Sequence, residues 1–173
     1  MLLFLLLGTF VMIFVVIETG ATLKTPATPK GILDLEFACN TAKATIVTTA
    51  WTPNNAIDNI SAAKTNTYLD FIFLFFYSLF LFFTSKKIAR ISGGWFGKAG
   101  LLLAKGALVA GILDVLENAG MLYTLSGNFS GTVTLFTTTC SLIKWGLALL
   151  AAGYCFIGLI YLIVQKKIKL LLA

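Results

Sequence analysis

Residues 99–121 read AGLLLAKGALVAGILDVLENAGM. The stretch is apolar for longer than the ~18–20 residues a helix needs to cross a ~30 Å hydrocarbon core. It nevertheless carries Asp114, Glu117 and Asn118. Spacings of three and four put this trio on one helical face. An acid deep in a bilayer costs roughly a few kcal/mol or more. That face must therefore meet protein, water or a cation rather than lipid, and the segment predicts a transmembrane helix with a polar site built onto it.

Three further apolar spans flank it, at about 2–19, 67–84 (rich in Phe) and 135–164, with the quoted stretch itself extending over about 99–124. The chain is 58% hydrophobic and 12% charged, with a mean hydropathy of +0.94. Soluble domains carry about 25% charged residues. The expectation is an all-α membrane protein, one integral domain over residues 1–173, folded as a four-transmembrane-helix bundle. The first span lacks a basic leader and a clean small-x-small cleavage site (Gly20-Ala21 is the nearest). It is expected to be a retained helix rather than a cleaved signal peptide.

Basic residues give the orientation. Lys86, Lys87, Arg90 and Lys98 follow the second span, Lys166, Lys167 and Lys169 follow the fourth, and the loop Ser126–Gly131 has no charge. The positive-inside rule places both basic segments, and hence both termini, in the cytoplasm. The net charge of +6 is thereby assigned to topology, and no nucleic-acid partner is expected. The long loop, about 20–66, falls outside; it spreads Lys24, Lys30, Lys43 and Lys64 among Asp34, Glu36 and Asp58. The sequons Asn59-Ile-Ser61 and Asn128-Phe-Ser130 matter only in a secretory pathway.

That loop opens with an extended TPATPKG segment at 25–31. From Ile32 to Trp51, Leu35, Ala38, Ala42 and Ile46 recur at helical spacing, predicting one extracytoplasmic amphipathic helix between the first and second spans. The Thr/Ala run at 44–50 leaves a strand as the lesser alternative. Residues 53–55 read as a turn, and 56–66 as a helix running into the second span.

The absence of histidine excludes His-ligated haem and metal, and Ser-His-Asp catalysis within the chain. No phosphate loop, dinucleotide fingerprint, HExxH or GxSxG occurs. No cofactor and no metal are expected. Cys39, Cys140 and Cys155 form no CxxC; three free thiols are expected, with a Cys39–Cys140 disulfide as the alternative.

With a rise of 1.5 Å per residue, Asp114 lies roughly 22 Å from the cytoplasmic end of its helix, and Lys144 about 10–15 Å below the outer surface. Asp70 begins the second span at similar depth. Lys144 is expected to neutralise Asp114 or Glu117, with Asn118 serving the other acid. Lys105 lies on the opposite face and snorkels. Glu36 either points down over the cluster from the outer helix or stays solvated. Trp51, Trp95 and Trp145 read as interface or packing residues. Gly106, Gly111 and Gly120 in the third span, and Gly146, Ala151, Ala152, Gly153 and Gly158 in the fourth, suggest close helix contact. The cluster is either an ion-pair network that fixes helix register or a ligand, proton or ion path. The surplus acid favours the second.

LKTPATPKGI at 23–32, LEFA at 35–38, Trp51, Leu69-Asp70-Phe71, Asp114-x-x-Glu117-Asn118 and Lys144 together resemble a group of small bacterial integral membrane proteins. The resemblance covers most of the chain. It implies a bacterial inner-membrane location and groups Glu36, Asp70, Asp114, Glu117, Asn118 and Lys144 as one recurring set; it implies no reaction. The chain departs from those proteins in being rich in Lys and Phe where they are rich in Ala. The functional expectation is a small transporter or accessory subunit that binds a small polar or amphipathic ligand, or a proton. Such a chain works as a homo-oligomer or within a larger membrane complex. The alternatives are an intramembrane enzyme using carboxylate acid/base chemistry on a lipid-like substrate, or a structural subunit with no chemistry.

Overall fold

The computed structural model describes residues 1–52, 58–165 and 170–171. Four long apolar helices pack together: α1 (Leu2–Thr19), α4 (Asn59–Ser92), α5 (Gly94–Leu125) and α6 (Gly131–Val164). Between α1 and α4 come a 3₁₀ turn, Ala21–Leu23, and the short helices α2 (Ile32–Glu36) and α3 (Thr41–Trp51). These cover one end of the bundle, called here the capped end. With 34 residues each, α4 and α6 are about 51 Å long, so their ends extend past a ~30 Å apolar layer.

Local chemistry sets the helix ends. Asp58 caps α4 by accepting the Ser61 N–H at 3.1 Å and its hydroxyl at 2.5 Å. These bonds hold the exposed Asp58 carboxyl below its ordinary range. Ser130 caps α6 through the Val133 N–H, which starts that helix at Gly131 rather than at 135. Gly93 and Gly94, with φ of 65° and 58°, turn α4 into α5 with one residue between them. A side chain at either would be strained.

The single helix expected over Ile32–Trp51 is two. Asn40 is extended (φ −152°, ψ 165°) and its side-chain oxygen accepts the Lys43 N–H at 2.9 Å. This is a new N-cap, so α2 stops at Glu36 and α3 restarts at Thr41. The Thr/Ala run is helical. The turn read at 53–55, residues 56 and 57, and the tail residues Lys166, Lys167 and Lys169 lie outside the described residues. The three cysteines are free thiols.

Two apolar cores lie at different levels. One, away from the cap, gathers Leu74, Leu81, Ile88, Ala151, Tyr154 and Leu162. The other joins the cap to the bundle through Leu23, Leu35, Val47, Trp51, Ala63 and Met121. Trp51 is fully buried, and its indole N–H donates to the Leu23 carbonyl at 2.9 Å and to the Thr28 hydroxyl at 3.2 Å. Lipid tails are as apolar as these side chains, so close fit rather than water exclusion must hold the helices. A Cβ at Gly111 would come within 2.9 Å of Ser78, and one at Gly158 within 2.6 Å of Ile88. Gly146 and Gly153 have nothing within 4 Å of such a Cβ, so these two members of the small-residue set do not mediate contact.

Helices α4, α5 and α6 contact one another, whereas α1 packs on α4 and makes no comparable contact with α5 or α6. A crevice is left between α1 and α6, with α4 at its floor.

Candidate functional site

The polar layer lies between the two cores. Measured from the capped end, Asp114 is 11 residues along α5, Asp70 11 along α4 and Lys144 13 along α6. At 1.5 Å per residue these are depths of roughly 17, 17 and 20 Å. Three helices thus bring charge to one level. Asp114, Glu117 and Asn118 are 2%, 0% and 0% exposed, and Lys144 is 7% exposed.

Lys144 Nζ sits 2.9 Å from Asp114 Oδ1, 2.8 and 2.9 Å from the two Glu117 oxygens, and 3.7 Å from Glu36 Oε2. It therefore engages both α5 acids instead of one. Asn118 donates to Asp70 Oδ2 at 2.7 Å, so it ties α5 to α4 beside the Lys144 cluster and does not serve the second α5 acid. Tyr77 donates to Asp114 Oδ2 at 2.7 Å.

Glu36 does turn inward from the cap. Its carboxylate accepts the Ser141 hydroxyl at 3.0 Å and the Trp145 indole N–H at 3.3 Å, and its carbonyl accepts Thr138 at 2.9 Å. The break after α2 makes this possible: a helix continuing past Glu36 would use that carbonyl internally. Lys105 is exposed, and so is Trp95 at 83%. Of the six candidate residues, Glu36, Asp114 and Glu117 thus meet at Lys144, while Asp70 and Asn118 form a separate pair at the same level.

Tyr77, Ser141 and Trp145 are members of the network that sequence reasoning did not assign to it. A signal existed for Tyr77, which is seven residues, two helical turns, beyond Asp70. Asn66 was also missed; one turn before Asp70, it ties α4 to α1 by donating to the Val16 carbonyl at 2.7 Å and to the Thr19 hydroxyl at 2.8 Å.

The layer opens into the crevice, whose volume is about 650 Å³. Glu36, Asp70, Asp114, Lys144 and Tyr77 face it from the polar layer, while Glu117 and Asn118 stand behind. Below that level it is apolar, between Phe10 and Ile13 of α1, Phe80 of α4, and Ala148, Leu149 and Ala152 of α6. At its rim on the cap stand Lys24 and Lys30, both exposed.

Among the described residues, no three of Cys, Asp and Glu are placed to hold a metal ion; the Lys144 ammonium lies where the acids converge. Three carboxyl groups surround this one ammonium, and Asp70 adds a fourth at the same level. A surplus of buried negative charge is costly, and it must be met by protons or by a cationic group. The arrangement can therefore hold a ligand's polar group, a proton, or both.

No family model, curated protein or solved structure matches the chain.

Proposed function

We propose that the chain binds an amphipathic molecule drawn from the bilayer. Its apolar part lies along the crevice between α1 and α6, and its polar part meets the Lys144 cluster. One observation carries this reading: the charged layer and the apolar trough are a single continuous cavity of about 650 Å³, within the ~300–1,000 Å³ range of small-molecule sites. A network serving only helix register needs no such opening.

The Lys/Arg pattern supports the cluster lying in the outer half of the membrane, with both termini cytoplasmic, and the resemblance supports a bacterial inner membrane. In that setting the chain acts as a small transporter or accessory subunit. Four spans without an internal repeat favour a homo-oligomer or a larger complex over a solitary transporter. A second reading, an intramembrane enzyme, is favoured by Glu36, Asp70 and Asp114 facing the same cavity, since paired acids in unequal surroundings divide acid and base roles.

The test is mass spectrometry of molecules retained by the chain purified into nanodiscs. Wild type should carry a stoichiometric amphiphile. Ala148→Trp with Ala152→Trp, which fill the trough without touching the charged layer, should lose it. A wild-type protein that carries nothing, or a filled variant that binds equally well, overturns the reading and leaves a structural subunit. Accumulation of a precursor lipid in a deletion strain selects the enzyme.

A further inference from the structure

We infer that the ligand is a lipophilic cation, a single apolar chain ending in an ammonium group. This rests on the crevice reading above and specifies its occupant. The first observation is the charge inventory. Glu36, Asp114 and Glu117 surround one ammonium, Asp70 adds a fourth carboxyl at the same level, and three of these four acids face the cavity. A second cation reduces the surplus, whereas an anionic headgroup increases it.

The second observation is a pair of carboxylate oxygens without a protein partner. Glu36 is over nine-tenths buried and spends Oε2 on Ser141 and Trp145; Asp70 spends Oδ2 on Asn118. Among the described residues, their other oxygens, Glu36 Oε1 and Asp70 Oδ1, have no hydrogen-bond partner, and both residues line the cavity. Two acceptor oxygens on one polar layer suit N–H donors, and a charge-assisted bond is roughly twice as strong as a neutral one.

The third observation is the order of groups along the cavity. Apolar lining lies directly below the acids, so the ligand's charge must adjoin its chain. Below the acids the lining of α4 runs from Asp70 to Leu81, about 16 Å along the helix axis, which suits one extended alkyl chain. Lys24 and Lys30 stand on the cap side of the acids. They repel a cation arriving from water, so entry is sideways from the lipid, through the gap between α1 and α6.

The experiment offers the full-length chain three probes of equal chain length: tetradecylamine, tetradecyl glucoside and tetradecanoate. Native mass spectrometry from nanodiscs counts what is retained. One amine per chain is expected, with little glucoside and no tetradecanoate. Glu36→Gln with Asp70→Asn should weaken amine binding about tenfold or more, the effect of losing a charge-assisted hydrogen bond. The wild-type comparison needs no variant to fold. Preference for glucoside or tetradecanoate, or amine binding that the variant leaves unchanged, overturns the cation while leaving an occupied crevice. Retention of none of the three overturns the cation; the amphiphile carried over in purification reports separately on the crevice.

Discussion

Replacing Lys144 with Met removes the ammonium from among its acidic neighbours and leaves an apolar chain of similar length. At an effective dielectric of about 20, unit charges 2.9 Å apart interact by about 6 kcal/mol, and those 3.7 Å apart by about 4.5 kcal/mol. Desolvation of the ammonium offsets much of this attraction. The net loss should fall near the ~3–5 kcal/mol typical of removing one member of a buried ion pair. Rescue is the sharper half of the prediction. Adding Asp114→Asn and Glu117→Gln to Lys144→Met removes the charges the lysine balanced, and the combined variant should recover most of the loss. Equilibrium unfolding in mixed micelles measures all of these variants. Refutation takes either of two forms: a Lys144→Met chain within about 1 kcal/mol of wild type, or additive losses in the combined variant, which would show uncoupled sites.

Tyr77→Phe strips Asp114 Oδ2 of its donor and should cost about 1–2 kcal/mol in the same unfolding assay. Gly97→Ala would place a methyl group 2.7 Å from the Ala89 carbonyl oxygen. Backbone cannot swing away, so it should destabilise the α4–α5 corner by about 1–3 kcal/mol and raise hydrogen exchange around residues 89–100. The Asp58 carboxyl is held below its ordinary value of 3.8 by Ser61. Its contribution to α4 capping is therefore present above that value and lost as pH falls through the depressed one. Hydrogen exchange at Ser61 should rise over that acid window in wild type and be pH-independent, apart from intrinsic exchange, in Asp58→Ala.

Sequence pattern revealed the spans because length and hydropathy suffice for them. It also revealed Asp114, Glu117, Asn118, Asp70 and Lys144 as one depth layer, because helical rise converts residue number into height. Partner choice within the layer was harder. Asn118 reaches Asp70 and not Glu117 because rotation of α5 against α4 depends on packing, which depth does not encode. Glu36's direction depended on a helix break, whose signal was Asn40 three residues before Lys43, a cap masked by the apolar spacing on either side of it. The crevice between α1 and α6 had no sequence signature. Lipid-facing and cavity-facing residues are equally apolar, so Phe10 and Ile13 read no differently from Phe14. Gly146 and Gly153 show the same ambiguity, since small residues in a span can face open space as well as a neighbouring helix.

The central claim is that one α6 ammonium holds two α5 carboxylates inside the bundle. Solid-state NMR of the chain in lipid, with ¹⁵Nζ-lysine and carboxyl-¹³C labels and Lys144→Arg to assign the signal, measures that contact without reference to any ligand. Strong dipolar coupling from Lys144 Nζ to both the Asp114 and Glu117 carboxyl carbons is the predicted result. A Lys144 signal coupled to neither acid, with an ammonium that exchanges freely with water, contradicts it.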